Sequence, residues 1–306
     1  MITLAPGLSY VDLQFQGVSR VIATAVLHGK AGVALVDPGP ASALPTLRRE
    51  LEKAGIAIAD VGTLLLTHIH LDHAGVTGTL VRENPALRVY VHEKGAPHMA
   101  DPSRLLASAT RLYGDDMDRL WGEVRPVPES AMTVLSGGER LKAAGIELEV
   151  AYTPGHASHH VSYFARDAGV GFIGDTAGIR LTPRGYVLPP TPPPDIDLDA
   201  WRDSLRRIEL HRPETLFLTH FGPSSPTAPH LRELEDHLAL VANLVRASLS
   251  RSDAGDDAAR EAWFTEEVRR DIRRKTADPD ARAYEVAGRF DLNWRGLARY
   301  WRKRGS

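Results

Sequence analysis

Four side chains that can ligate a divalent metal fall within one short run: His68, His70, Asp72 and His73, in GTLLLTHIHLDHAG from Gly62 to Gly75. Imidazole and carboxylate donors, without thiolate, suit zinc and also iron or manganese. The apolar run Leu64-Leu65-Leu66 ahead of them is of the kind that forms a buried strand. On extended backbone His68 and His70 share a face, so their rings can point the same way. Asp72 and His73 are adjacent and aim elsewhere. One turn can therefore feed two neighbouring ions. A turn that is merely polar gives no reason for so many imidazoles where a strand ends.

Three further candidates stand at the ends of short predicted strands. They are His156 in TPGH, Asp175 in GDT and His220 in LTHFG. Residues this far apart in sequence can converge only if their strands end on one rim, where ligand sites of layered α/β proteins often lie. Asp37, in VDPG, also closes a strand; it reads either as a turn former or as a carboxylate supporting the metal ligands from behind. Weaker substrate-binding candidates are His98, His159, Arg180 and Tyr186. His159 and His160 follow the His156 ligand and suit supporting roles.

The elements that must position these groups are predicted in order. Tyr10 to Phe15, Arg20 to Leu27 and Gly32 to Val36 read as strands, the last two joined by a hairpin turn. Ser42 can cap a helix running to about Ala54. A helix over 73–83 and a strand over Leu87 to His92 follow. Residues 95–122 read as a helical insertion, either packed on the core or covering the site. Hairpin strands lie near Leu141 and Ile146 to Tyr152, then come strands at Val161 to Ala165 and Gly171 to Ile173. Residues 183–194 form a proline-rich extended arm. A helix over Leu198 to Leu210 precedes a last strand, Thr215 to Leu218. From Pro229 the pattern is helical: one long helix over 229–251, a break at Asp253 to Asp257, and two more helices over 258–303. Their arginine-rich faces read as solvated surface, or as a surface that covers substrate or joins subunits.

The chain has 306 residues, 43% of them apolar, enough for a substantial core. A net charge of −2 leaves no electrostatic footprint for nucleic acid or an anionic membrane. The absence of cysteine excludes disulfides, thiolate nucleophiles and thiolate ligands, and fits a reducing cytoplasm. The N-terminal segment does not read as a signal peptide, and no run of about 18 apolar residues reads as a membrane span. The expected partner is a small-molecule substrate, neither nucleic acid nor membrane; a homodimer is compatible with the helical faces.

THIHLDHAG, TPGH, GDT and LTHFG together resemble the metallo-β-lactamase fold superfamily over residues 1 to about 230. The resemblance implies an α/β fold, a four-layer αβ/βα sandwich, with residues 231–306 as a C-terminal helical extension. It gives His68, His70 and His156 to one divalent ion and Asp72, His73 and His220 to a second, with Asp175 as the bridge. It places Asp37 behind the ligands. Two ions about 3.5–4 Å apart can hold an ionised water as nucleophile. Asp72, besides ligating, is the candidate to orient that water or relay a proton. The expected metal is zinc, with iron or manganese as alternatives.

Among the branches, lactamases with a cysteine ligand are excluded, and other lactamases lack an aspartate at the Asp175 position. Quorum-signal lactonases typically carry a tyrosine three residues after that aspartate, where Gly178 stands here. Glyoxalase II enzymes share the ligands, the GDT and a C-terminal helical region, although their glutathione-binding residues are not recognisable in this chain. The reading is a dinuclear hydrolase of a small ester, thioester or lactone, glyoxalase II-like. An iron-dependent sulfur oxidoreductase resembling the persulfide dioxygenases, or a phosphodiesterase, is the alternative.

Overall fold

Side chains of successive strand residues point to opposite faces, and here both faces are apolar, so the strands must be covered on both sides. In the computed structural model, which describes residues 1–251 and 255–305, they form two sheets. The first follows chain order: β1 (Ile2–Ala5), β2 (Leu8–Asp12), β3 (Ala23–Gly29), β4 (Gly32–Val36), β5 (Val61–Leu65), β6 (Arg88–His92) and β7 (Met132–Leu135). β1 to β4 pair antiparallel and β4 to β7 parallel. The second sheet contains β8 (Arg140–Ala143), β9 (Ile146–Tyr152), β10 (Val161–Ala165), β11 (Val170–Phe172), β12 (Thr215–Leu218) and β13 (Gly222–Ser224), in the spatial order β13-β12-β11-β10-β9-β8. β11 and β12 are parallel, and β10 runs antiparallel to both β9 and β11. β9, β11 and β12 therefore all end on the same rim.

Three cores separate four layers. Leu27, Val36, Leu65, Tyr163, Phe172 and Phe217 meet between the sheets. Their sequence neighbours Val26, Leu35, Leu64 and Leu66 face the other way, onto α1 (Leu44–Glu52) and α3 (Thr77–Glu83), represented by Leu47 and Leu80. A four-residue helix, α2 (Leu71–Ala74), precedes α3. The 95–122 insertion forms α4 (Ala96–Ala100), α5 (Ser103–Tyr113) and α6 (Met117–Trp121), and joins this outer core through Met99, Ala109 and Trp121.

On the far side, Phe164, Leu216 and Leu218 of the second sheet pack against α7 (Leu198–His211) and α8 (Thr227–Leu249). Next come α9 (Asp257–Lys275), α10 (Asp278–Gly288) and α11 (Phe290–Lys303). Phe264, Val268, Tyr284 and Trp294 from these helices share the same core as Trp201 and Leu216. Residue 231 lies inside α8, so the C-terminal helices are continuous with the outer helical layer.

Several local expectations need correction. The strand expected over Tyr10 to Phe15 is instead Leu8–Asp12, because the Asp12 carboxylate accepts the Gln14 and Arg20 amides and turns the chain. β1 precedes it, a short strand not anticipated. Ser42 does not cap α1; it lies in a 3₁₀ turn and its hydroxyl donates to the Leu120 carbonyl. After Asp257 there are three helices, not two: Pro279 sits in the first turn of α10, where proline is favoured, and Arg289 takes left-handed backbone between α10 and α11. Of the expected break at Asp253 to Asp257, Asp253 and Ala254 lie outside the described residues; Asp256 caps α9 through the Ala259 amide. Among the described residues no helix is long and apolar enough to cross a membrane.

Candidate metal centre

β5 runs from the floor of the first sheet into Thr67-His68-Ile69-His70, and α2 then presents Asp72 and His73. His156 follows β9, Asp175 follows β11 and His220 follows β12. The rim where β9, β11 and β12 end faces the end of β5, and the seven side chains meet there. His68, His70 and His156 form one group; Asp72, His73 and His220 form a second; Asp175 groups with His68 and His73. Within each group the ligand atoms lie within 4.8 Å of one another.

The distances show how closely the donors converge. His70 Nδ1 is 3.0 Å from both His68 Nε2 and His156 Nε2. His220 Nε2 is 3.3 Å from Asp72 Oδ2. Asp175 reaches both groups: Oδ1 is 3.3 Å from His73 Nε2 and Oδ2 is 3.4 Å from His156 Nε2.

Four of the histidines are held by their outer nitrogen. His156 Nδ1 donates to the Pro190 carbonyl (2.9 Å), His220 Nδ1 to the Val21 carbonyl (2.6 Å) and His73 Nδ1 to Asp37 Oδ2 (2.8 Å). His68 Nδ1 faces the Thr67 hydroxyl at 3.1 Å. A proton fixed on the outer nitrogen leaves the Nε2 lone pair aimed inward, the arrangement that metal-ligating histidines require.

Asp37 closes the arrangement from behind. It is fully buried at the end of β4, in left-handed backbone, and besides His73 it accepts the Thr67 amide, the Thr67 hydroxyl and the Thr219 hydroxyl. Thr67 and Thr219 were not singled out from sequence. The signal was present: each directly precedes a candidate ligand histidine, in THIH and in LTHFG.

Burial and charge set the protonation of the cluster. Burial holds His68 well below the ordinary imidazole value and His70 down to about 4, with neighbouring histidines adding to the effect. The opposite half behaves differently. Burial would lower His73, but Asp175, Asp72 and Asp37 hold it well above its usual range. Asp72, which burial would raise, is kept down to about 2 by His73 and His220.

The donor set fits a divalent cation. Asp175 Oδ1 and His73 Nε2 are buried without a hydrogen-bond partner, although they face each other. Buried polar atoms are normally satisfied. Two such orphans at the junction of two ligand groups are what a site shaped for cations presents.

A cavity of about 290 Å³ opens beside the cluster and includes His70, Asp72, His156, Asp175 and His220 in its wall. His98, from α4, and His159 line it as well, and His159 Nδ1 lies 3.4 Å from the Ile69 amide. Arg180 and Tyr186, expected to face substrate, do not line this cavity. The Arg180 backbone amide binds the His220 carbonyl, but its guanidinium turns away to Gly185, Ser224 and Glu233. Tyr186 is buried and stacks on His237 at 3.9 Å. Both were drawn into the second sheet's outer core, which residue types after Asp175 do not reveal. His160 is buried behind His68, with ring centroids 5.0 Å apart, and its Nδ1 pairs with Thr153. Cavity residues missed from sequence include Lys94, Arg289 and Asn293.

Comparison with known proteins agrees with this fold. The family model of the metallo-beta-lactamase superfamily matches residues 18–220. The chain is 32% identical over 179 residues to the metallo-beta-lactamase fold-containing protein ST1585 of Sulfurisphaera tokodaii, covering 57% of this chain and 64% of that protein. It is 29% identical over 142 residues to a hydroxyacylglutathione hydrolase of Aeromonas hydrophila, covering 46% of this chain and 41% of that enzyme. The match thus spans less than two thirds of either relative. Among solved structures, a metallo-beta-lactamase family protein of Thermus thermophilus superposes with a TM-score of 0.72 at 24% identity, over 99% of this chain and 95% of that one. That likeness concerns the fold and extends through the C-terminal helices.

Proposed function

Because the chain belongs to the metallo-beta-lactamase superfamily, we propose that it is a metal-dependent hydrolase of a small ester, thioester or lactone. His68, His70 and His156 would hold one divalent cation, Asp72, His73 and His220 a second, with Asp175 shared between them. The observation that carries this reading is the convergence of three ligand groups with common members at the wall of one cavity. Bound divalent cations supply Lewis acidity and lower the pKa of water toward about 7. Zinc is the first expectation; iron or manganese suits the same donors.

The chain's own residues supply the rest. Asp37, Thr67 and the Val21 and Pro190 carbonyls fix ligand orientation before any cation arrives. The Asp72 side chain is 24% exposed, against 5% for Asp175. It is therefore the carboxylate placed to orient a water or take up a proton at the cavity wall. A thioester is supported further by the hydroxyacylglutathione hydrolases among the relatives. The absence of cysteine supports a cytoplasmic setting.

A screen on thioesters, lactones and phosphodiesters, run with elemental analysis, tests the proposal. Turnover of a carboxylic ester, thioester or lactone that disappears in folded His70→Ala is the expected result. Stoichiometric single iron, oxygen consumption with a sulfur substrate and no hydrolysis would overturn it.

A further inference from the structure

We infer that the substrate carries an uncharged, apolar acyl group, and that this group sits in the cavity beside the ligand cluster. The inference rests on the hydrolase reading and adds the substrate class. Its basis is the chemistry of the walls. Phe15 and Ile22 come from the connection between β2 and β3, Leu105 and Leu112 from α5, Trp121 from α6 and Leu292 from α11. Segments from opposite ends of the chain thus supply the same kind of surface to one space. Trp121 is clamped between two rings: it stacks on Phe15 at 5.6 Å and meets Tyr113 edge-on at 5.0 Å. A polar acyl substituent placed against these aliphatic and aromatic faces would give up much of its water.

Of the polar wall groups, Arg289 is paired with Asp291 and Asn293 with Thr191, Arg104 and His98 stand on the α4–α5 side, and others border a second opening. Lys94, Ser158, Pro194 and Asp195 line both the cavity and an adjoining groove, which continues to Arg299 and Arg304. Charged parts of a substrate therefore belong in the groove, and the apolar part belongs inward. Size sets a further limit. At about 290 Å³ the cavity is at the small end of ligand pockets, which run from about 300 to 1,000 Å³. It has room for an acyl chain and not for a carrier as well. The orientation follows: acyl group in the cavity, leaving group toward the groove. In the reaction water's oxygen bonds to the acyl carbon, the carbon–sulfur or carbon–oxygen bond breaks, and the products are a carboxylate, the free thiol or alcohol, and a proton.

The test uses the metal-loaded full chain and straight-chain acyl thioesters of one small thiol, from acetyl to decanoyl. Binding of the matching straight-chain carboxylates is measured in parallel by calorimetry. Both kcat/KM and the binding constant should rise about fourfold per methylene until the cavity is full. Ser108→Trp, on a half-buried wall position of α5, should move that limit to shorter chains, and Leu112→Ala should move it to longer ones. Circular dichroism establishes that each variant is folded; should one fail, the other still decides. Turnover and binding that ignore chain length would overturn the acyl pocket while leaving the hydrolase reading in place. No thioester turnover at any length would count against thioester hydrolysis, and the carboxylate series would then decide the acyl pocket alone.

Discussion

Asp37 Oδ2 lies 2.8 Å from Nδ1 of His73, and neither side chain is exposed to solvent. The same carboxylate accepts from Thr67, beside the His68–His73 turn, and from Thr219, beside His220. Thr67 follows a strand of the first sheet and Thr219 a strand of the second. One buried carboxylate thus joins the two sheets at the point where the candidate ligands converge. It also commits the His73 proton to Nδ1 and leaves Nε2 for the cluster.

Asp37→Asn keeps the shape of that side chain and replaces one acceptor oxygen by a donor. An NH₂ group there would face Thr67, Thr219 and His73, all of which donate to the carboxylate in the wild type, so their hydrogen bonds must be reversed or lost. Metal affinity is expected to fall about 10- to 100-fold, as read by competition with a chromophoric chelator. Wild-type affinity in the folded variant would show that His73 is not held from behind in this way.

Gly174→Ala tests how Asp175 is delivered. Gly174 has φ +55°, and a Cβ there would lie 2.5 Å from Thr67 Oγ1 and 2.8 Å from His160 Nε2. Left-handed backbone costs a non-glycine residue about 1–2 kcal/mol, and the collision with Thr67 adds to it. The variant should unfold at lower denaturant concentration and bind less metal. Unchanged values of both would mean that the turn has slack the close contacts deny.

His230 makes stability depend on pH from outside the candidate metal cluster. His230, on α8, donates Nε2–H to the Ala177 carbonyl, while Nδ1 faces Ser224 and the Arg180 guanidinium. Burial, reinforced by Arg180 and partly offset by the Ala177 carbonyl, lowers its pKa to about 4. The unfolded chain, with an imidazole near 6.5, takes up a proton over this window that the folded chain refuses. Stability therefore falls as pH drops from about 6.5 to about 4, by roughly 3 kcal/mol from this group. Denaturant midpoints of the wild type and His230→Gln should converge or cross as pH is lowered through that window. A gap that stays constant with pH would contradict the assignment.

Much of the fold could be read from the chain because the strands carry apolar residues on both faces and end in distinctive breakers. Leu64-Leu65-Leu66 alone predicts a strand sandwiched between two cores, and those residues alternate between them. The seven candidate side chains that converge in the structure stood out in the sequence because folding by itself gives little reason for imidazoles and carboxylates to gather at strand ends. Arg180 and Tyr186 were not legible, because their partners, Glu233 and His237, sit on a helix whose docking only tertiary structure reveals. The same holds for the cavity wall: nothing local to Leu292 or Asn293 indicates that α11 returns to the ligand cluster. Short elements also escaped, since a strand of four residues such as Ile2–Ala5 carries too little pattern to detect.

The most direct measurement is metal stoichiometry: the full chain is stripped with chelator, titrated with Zn²⁺ by calorimetry, and compared with Asp175→Ala. The wild type should saturate at two ions per chain, and Asp175→Ala, folded, should hold fewer or hold them far more weakly. A folded wild type that binds no zinc, iron or manganese, or an Asp175→Ala that binds two ions as tightly as the wild type, would contradict the site.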